Sequence, residues 1–133
     1  MIKQIAVFME NKEGRASACC KALKEANVNI DSLSIADTKE FGIMRIITED
    51  NEKALKALKA AGFLSTLVDI VAVEVPDKMG ALADLLIALE DGGVNIEYMY
   101  SYEGSDKHVK IGIKTNTPLK AEEILMKAGA KVL

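Results

Sequence analysis

Two short segments of the sequence combine residue types that can bind a small anion. Each lies between a run of alternating apolar residues and a helical pattern, and each has a glycine at the same place: Asn11-Lys12-Glu13-Gly14-Arg15-Ala16 and Asp77-Lys78-Met79-Gly80-Ala81-Leu82. The first N–H groups of a helix have no partner within the helix, and together with the helix dipole they favour an anion. Glycine also lets the backbone approach a ligand closely. The spacing leaves a second interpretation open, in which Gly14 and Gly80 only shape the turns.

An asparagine follows each of these glycines at the same distance. Asn29 comes 15 residues after Gly14, and Asn95 comes 15 residues after Gly80. The asparagine amide both donates and accepts hydrogen bonds, so a turn and an asparagine together suit the two charged ends of a free amino acid. Three or four charge-assisted hydrogen bonds of about 1.5–3 kcal/mol each, less the cost of ordering, reach the roughly −8 kcal/mol of micromolar binding. The alternative is that the asparagines only cap the strands that they open.

The elements around these residues occur twice. A shift of 66 residues aligns Ile5–Ile30 with Val71–Ile96, and nine of the 26 aligned positions are identical. A repeat of this length is a small domain rather than the unit of a solenoid. We therefore predict two domains, residues 1–69 and 70–133, without a linker between them.

Periodicity predicts the same order of elements in both copies. Alternating apolar residues predict strands over 2–9, 28–36 and 41–48 and over 70–75, 94–102 and 109–113, with one nearly continuous strand-forming stretch over 66–75. Apolar residues at helical spacing lie between them, with starts at Asp50 and Thr117-Pro118 and stops at Gly62 and Gly92-Gly93. The predicted fold class is α+β, with two ferredoxin-like βαββαβ domains in tandem, their antiparallel sheets side by side and the helices on one face.

Composition excludes several classes of protein. The 133 residues include 17 basic and 20 acidic ones, for a net charge of −3, and half of the chain is hydrophobic. This balance excludes a disordered chain and argues against nucleic-acid binding, which needs a basic surface. No apolar run is long enough to cross a membrane, and the N-terminus lacks the pattern of a signal peptide. We expect a cytoplasmic protein that contacts neither nucleic acid nor membrane.

Residues for catalysis or metal binding are scarce. His108 is the only histidine and is predicted to lie on the surface at the start of a strand, and Cys19 and Cys20 are sequence neighbours that do not face each other on a helix. We interpret the two cysteines as small buried apolar groups. No set of metal ligands and no phosphate-binding glycine loop is present. We therefore expect no enzyme activity, no metal and no cofactor.

Three tyrosines alternate in the strand after Asn95. Tyr98, Tyr100 and Tyr102 point to one face of that strand and Met99 to the other. Strand preference alone explains tyrosine here, and the alternative is that this face lines a pocket or a subunit contact. Apolar residues on both faces of the strands favour a homodimer.

The second copy resembles the ACT domain family. The resemblance rests on Val75-Pro76-Asp77-Lys78-Met79-Gly80-Ala81-Leu82 followed by Gly93-Val94-Asn95-Ile96 and is fainter in the first copy, through Asn11, Gly14 and Val28-Asn29-Ile30. It implies βαββαβ regulatory modules that bind amino acids and related effectors between paired ACT domains. Carried over, it implies that the effector contacts residues 11–15 with Asn29 and Ile30, and residues 77–82 with Asn95 and Ile96.

The sequence departs from the family at the residue before each turn glycine. The family usually has proline there, whereas this chain has Glu13 and Met79. Glu13 places a negative charge where an effector carboxylate would lie, so we expect one of the two sites to be weak or to prefer the ammonium end. We expect no catalytic or DNA-binding domain beside the two copies, and we expect any regulated protein to be another chain.

Two functions follow from these residues. The first is a regulatory protein that binds a free amino acid at the junction of ACT domains. The second is an interaction or dimerisation module without a ligand, which acts as the regulatory subunit of an amino-acid biosynthetic enzyme. The identity of the amino acid is not encoded in the motif, because residues from several elements shape a side-chain pocket.

Overall fold

The computed structural model describes residues 1–37 and 39–133. The elements follow one another in the order β1 (Ile2–Glu10), α1 (Arg15–Glu25), β2 (Ser32–Asp37), β3 (Phe41–Ile47), α2 (Asn51–Ala60), β4 (Leu64–Pro76), α3 (Ala81–Asp91), β5 (Tyr98–Ser105), β6 (His108–Lys114), α4 (Pro118–Lys127) and β7 (Lys131–Val132). This is an α+β fold with the βαββαβ order in tandem, as predicted. No helix in the described residues has the length and apolar character needed to span a membrane.

The N-terminal unit, Lys3–Val68, has its own antiparallel sheet and core. Its strand order is β2-β3-β1-β4, and β3 pairs with both β1 and β2. Alternate residues of β1 are fully buried, whereas Phe8 between them is 47% exposed. Both helices of the unit cover the same face of the sheet, because one core joins the following buried residues: Ile5, Val7, Met44 and Ile46 of the strands and Cys19, Leu23, Ala54 and Leu58 of the helices.

The C-terminal unit, Asp69–Leu133 together with Met1–Ile2, repeats this construction. Within it, β6 pairs with β4 and β5, and the short β7 pairs with the other edge of β4. The equivalent strands and helices contribute its core: Val71, Val73, Ile111 and Ile113 of the strands and Leu85, Leu89, Ala121 and Leu125 of the helices. The stretch predicted to be continuous over 66–75 is the single strand β4.

The helix ends confirm the starts and stops predicted from the sequence. The Asp50 carboxylate accepts a hydrogen bond of 3.1 Å from the Lys53 N–H, and Thr117 precedes α4 with Pro118 at its first position. Gly62 and Gly93 have φ angles of +86° and +72° just beyond α2 and α3. In this left-handed conformation a glycine avoids the steric penalty of a Cβ, which is why it ends a helix well.

The strands after α1 and α3 begin four residues later than predicted. The predicted strands over 28–36 and 94–102 are Ser32–Asp37 and Tyr98–Ser105. The reason is that Val28 still belongs to the helix end, since its N–H donates to the Leu23 carbonyl at 2.9 Å; Val94 does the same to Leu89. The asparagines after these valines therefore lie in loops and do not open strands.

The tyrosines of β5 lie on the face opposite the helices. Tyr98, Tyr100 and Tyr102 are cross-strand partners of Lys114, Gly112 and Lys110, and Met99 packs on the core side. Tyr102 is buried and Tyr100 lies 6.3 Å from it, measured between ring centroids. Tyr100 also covers Gly112, where an added Cβ would lie 3.5 Å from the tyrosine ring. Tyr100 and Tyr102 thus lie against each other on this face of the sheet.

Candidate functional site

Each turn singled out in the sequence has a left-handed glycine at the start of a helix. Gly14 has φ +81° before α1, and Gly80 has φ +87° before α3. Glycine has no side chain that could cap the helix. The first hydrogen bonds within the helices run from the Ala18 N–H to the Gly14 carbonyl at 2.9 Å and from the Asp84 N–H to the Gly80 carbonyl at 3.0 Å. The preceding N–H groups, those of Ala16 and Ser17 in α1 and of Leu82 and Ala83 in α3, therefore have no acceptor within the helices and point beyond the helix ends. This geometry suits an anion, as the sequence suggested.

Backbone hydrogen bonds hold each turn against the neighbouring hairpin. The Asn11 N–H donates to the Glu40 carbonyl at 2.9 Å, and the Asp77 N–H donates to the Lys107 carbonyl at 2.7 Å. Within each turn there is a longer backbone bond, from the Arg15 N–H to the Lys12 carbonyl at 3.3 Å and from the Ala81 N–H to the Lys78 carbonyl at 3.2 Å. The two turns thus have the same hydrogen bonds in both units, and each is held to the neighbouring hairpin through its first residue.

The asparagine loops lie at the opposite end of the helices from the turns. Gly80 precedes α3 and Asn95 follows it, so that 11 helical residues, about 16 Å, separate them. Two hydrogen bonds support this separation. The Asp77 N–H donates to the carbonyl of Lys107, just before β6, whereas the Glu97 N–H donates to the carbonyl of Lys114, the last residue of β6. Within one unit, a single amino acid therefore cannot contact both the turn and the asparagine. The predicted combination of these residues in one site needs two ACT units and stays a prediction.

The remaining predicted site residues differ in accessibility. Asn29 is exposed and donates from Nδ2 to the Asp31 carboxylate at 2.8 Å, whereas Ile30 packs against the N-terminal core. Asn95 is exposed, and Ile96 packs against the C-terminal core. Among the turn residues, the half-buried ones are Arg15 and Ala81, and the exposed ones are Asn11, Lys12, Glu13, Gly14, Asp77, Lys78, Met79, Gly80 and Leu82.

The two turn lysines have different surroundings. Lys12 forms an ion pair of 2.9 Å with Glu10, and this hydrogen bond together with the charge of Lys12 lowers the pKa of the Glu10 carboxyl. The position equivalent to Glu10 in the second copy is Pro76, which has no charge. Lys78 consequently has no ion pair with any residue that the structure describes.

A cavity of about 350 Å³ opens beside the turn in the C-terminal unit. We call it the C-terminal cavity. It is lined by the end of β4, the first turns of α3, the start of β6 and the segment from the end of α4 to β7: Glu74, Val75, Pro76, Lys78, Ala81, Asp84, Leu85, His108, Leu125, Ala128, Gly129, Ala130 and Lys131. Lys78 and Ala81 are the only residues of the predicted turn site among these lining residues.

The charged groups of the C-terminal cavity balance. Lys131 pairs with Glu74 at 2.9 Å, and this hydrogen bond lowers the pKa of the Glu74 carboxyl, an effect that burial opposes and the charge of Lys131 reinforces. Lys78 and Asp84 add one positive and one negative charge. A cavity with equal numbers of both charges can accommodate both ends of a zwitterion.

The equivalent cavity of the N-terminal unit is smaller and filled by aromatic and cationic side chains. We call it the N-terminal cavity; it measures about 160 Å³ and is lined by Phe8, Met9, Glu10, Arg15, Phe41, Gly62, Phe63 and Leu64. The Arg15 guanidinium lies 4.7 Å from the centre of the Phe63 ring, a favourable cation–π distance. Arg15 corresponds to Ala81. Phe63 corresponds to Ala130, because Phe63 follows Gly62 at the end of α2 and Ala130 follows Gly129 at the end of α4.

Sequence reasoning missed the cavity residues outside the turn. Neither Asp84 nor Glu74 is among the predicted site residues, whereas His108 was predicted to lie on the surface at the start of a strand, where it does lie. The available signal was the comparison of the two copies, because Phe8 and Ala18 stand where the second copy has Glu74 and Asp84. In the part of the chain that the structure describes, no three His, Cys, Asp or Glu side chains are placed to bind one metal ion.

Comparison with known families and structures supports the fold. The profile of the family described as an ACT domain pair matches residues 1–132. The crystal structure of protein BT0572 from Bacteroides thetaiotaomicron is 37% identical, with a TM-score of 0.91 over 98% of this chain and 90% of that chain. No curated protein sequence matches this chain.

Two more distant structures share the fold. The regulatory subunit of aspartate kinase from Thermus thermophilus, in a ligand-free form, is 20% identical, with a TM-score of 0.68 over 95% of this chain and 91% of that chain. The corresponding subunit from Thermus flavus is 21% identical, with a TM-score of 0.66 over 96% and 92%.

Proposed function

The chain belongs to the ACT domain pair family, and on this premise we propose that it is a regulatory protein that binds a free amino acid at the turn before α3. The observation that carries the proposal is the left-handed Gly80, which starts α3 without a capping side chain beside a cavity with balanced charges. The regulated protein is a separate enzyme of amino-acid biosynthesis, and the chain acts on it as a homodimer. The fold shared with regulatory subunits of aspartate kinase supports this choice of partner class.

A thermal-shift screen against the twenty L-amino acids tests the proposal. A ligand that binds only the folded chain stabilises it by about 2.7 kcal/mol at one hundred times its dissociation constant. We expect one amino acid, or a small related group, to raise the melting temperature, and isothermal titration calorimetry to give the affinity. If none of the twenty changes the melting temperature at millimolar concentration, the proposed function is wrong.

Matched glycine variants test whether the turn before α3 takes part. Gly80→Ala and Gly14→Ala place a Cβ at φ +87° and +81°, where no other protein atom lies within 4 Å. Each variant should lose about 1–2 kcal/mol of stability, because L-residues disfavour this conformation. We expect Gly80→Ala to weaken amino-acid binding, because the strained turn shifts Lys78 and Ala81, and Gly14→Ala to leave affinity unchanged. Equal affinities of both variants and the parent chain would remove the turn from the site.

An exposed apolar surface supports the second candidate function, a module that acts without a ligand. On the sheet face opposite the helices of the N-terminal unit, Phe8 stacks on Phe41 with 4.9 Å between ring centroids. Phe8, Phe41 and Ile43 are between 37% and 47% exposed, and Leu64 is 72% exposed. Exposed apolar patches mark interaction surfaces in many proteins.

Sedimentation analysis separates the two candidates. Ile43→Ser should reduce self-association or enzyme binding if this surface mediates it, whereas Ile87→Ser, at another exposed position, should not. A surface-dependent complex in a chain that no amino acid stabilises would favour the module without a ligand.

A further inference from the structure

We infer that the ligand occupies the C-terminal cavity alone, once per chain, and that it is the zwitterion of an amino acid with an aliphatic side chain. This inference rests on the proposed function and adds the number of sites, their place and the class of ligand. It comes from comparing the two equivalent cavities of one chain.

Side-chain size leaves room in one cavity and fills the other. The C-terminal cavity holds about 350 Å³ and the N-terminal cavity about 160 Å³. Ligand pockets begin at about 300 Å³, so of these two equivalent cavities the C-terminal one has the volume of a small-metabolite site. The difference follows from two substitutions between the copies, since Ala81 and Ala130 in the second copy replace the stacked pair of Arg15 and Phe63 in the first.

Charge also distinguishes the cavities. Pro76 stands where the first copy has Glu10, so the Lys78 ammonium keeps its charge available, whereas Lys12 is paired with Glu10 at 2.9 Å. Asp84 stands where the first copy has Ala18. The C-terminal cavity therefore offers a cation for a carboxylate and an anion for an ammonium group, in addition to the Glu74–Lys131 ion pair.

The apolar part of the C-terminal cavity specifies the rest of the ligand. Val75, Leu85 and Leu125 are at most 6% exposed and line it together with small alanines. An aliphatic side chain gains about 25 cal/mol for each Å² of apolar surface that such a surface buries. A charged side chain on the ligand would instead lose hydration there without a partner.

Calorimetry with leucine and two truncated analogues tests the ligand class. The probes are L-leucine, 4-methylpentanoate, which lacks the amino group, and 3-methylbutylamine, which lacks the carboxylate. We expect L-leucine to bind the full chain with a stoichiometry of one, and each analogue to bind about tenfold more weakly or worse, because one charge-assisted contact is lost.

Variants of the cavity test its location. Ala81→Arg introduces the side chain that fills the N-terminal cavity, and Asp84→Asn removes the anion. We expect Ala81→Arg to abolish leucine binding and Asp84→Asn to weaken it about tenfold. The matched controls are Ile87→Arg and Asp91→Asn, exposed positions of the same helix outside the cavity, and they should bind as the parent chain does.

Each outcome has a defined meaning. Leucine binding that survives both cavity variants, a stoichiometry of two, or equal binding of the analogues would overturn the inference. If an amino acid without an aliphatic side chain binds and leucine, isoleucine and valine do not, the ligand class is wrong while the proposed function stands; if none of the twenty binds, the proposed function itself fails. Circular dichroism checks the fold of Ala81→Arg, and Asp84→Asn carries the test if that variant does not fold.

Discussion

Cys19 and Cys20 are adjacent residues with different surroundings. Cys19 is fully buried and its thiol lies 3.7 Å from the Met44 sulfur, whereas Cys20 is only partly buried. Burial raises the pKa of the Cys19 thiol to about 11, with a smaller contribution from Cys20 and an opposing one from the charge of Arg15. The expectation of a buried apolar group is thus confirmed for Cys19 and holds in part for Cys20.

We predict that only Cys20 reacts with a thiol reagent in the folded chain. At pH 8 the Cys19 thiol stays protonated and inaccessible, and the thiolate is the reactive form. Titration with Ellman's reagent should give one equivalent per native chain and two in denaturant, and Cys20→Ser should give almost none until the chain unfolds. Rapid modification of native Cys20→Ser would contradict the assigned burial of Cys19.

Alkaline pH should destabilise the chain through the same group. A thiol whose pKa is higher in the folded state than in the unfolded state stabilises the fold below the unfolded value, and this contribution is lost as the pH rises. The window lies between the ordinary value of 9.0 and about 11. Between pH 8 and pH 10.5, the free energy of unfolding measured with urea should fall less in Cys19→Ala than in Cys20→Ala.

At the scale of elements, short strand β7 depends on its neighbours. It pairs with β4 through only Val132 and Lys131, and the Leu133 N–H donates to the Ala72 carbonyl at 2.9 Å. The ion pair between Lys131 and Glu74 lies on the same two strands and forms one side of the C-terminal cavity. One side of the cavity is therefore formed by a two-residue strand that one carboxylate helps to hold.

We predict that β7 loosens in acid. The hydrogen bond from Lys131 lowers the pKa of Glu74 below its ordinary value of 4.5, so the ion pair stabilises β7 above this value and the contribution is lost as the pH falls through the folded-state pKa. Amide exchange at Leu133, followed by NMR, should accelerate below pH 4.5 relative to core amides. In Lys131→Met the same exchange should be fast already at neutral pH, and slow exchange there would show that the ion pair does not hold the strand.

At the scale of the whole molecule, two copies of one fold have similar cores but different cavities. Each unit has its own core of strand and helix residues at equivalent positions. The equivalent cavities differ in their lining, where Arg15, Phe63 and Phe8 occupy the places of Ala81, Ala130 and Glu74. Core packing thus preserves the fold in both units, while the cavity residues make one unit a candidate for binding and the other a filled counterpart.

We predict that emptying the N-terminal cavity does not create a second site. Arg15→Ala removes the cation–π contact with Phe63 and should cost about 0.5–1 kcal/mol of stability, seen as a lower melting temperature. Leucine should still bind once per chain, because Phe8, Ala18 and Leu64 stand at the positions of Glu74, Asp84 and Lys131. A stoichiometry of two in this variant would show that volume alone limits binding.

Local signals explain how much of the fold the sequence predicts. The repeat, the βαββαβ order and the helix ends at Asp50, Gly62 and Gly93 depend on side-chain alternation and on hydrogen bonds within a few residues, and all of them are present in the structure. The late start of the strands after α1 and α3 escaped prediction because Val28 and Val94 have strand-forming side chains but donate their N–H groups to helix carbonyls.

The two glycine turns and their bare N–H groups follow from local sequence, because a left-handed residue and an uncapped helix start are properties of neighbouring residues. The groups that surround those turns depend on how distant elements pack. The tertiary structure separates Asn95 from Gly80 by the length of α3 and brings Lys131 to Glu74 beside Asp84. These distances depend on how β4, α3 and the α4–β7 segment pack, and packing between residues far apart in the chain leaves no periodic trace in the sequence.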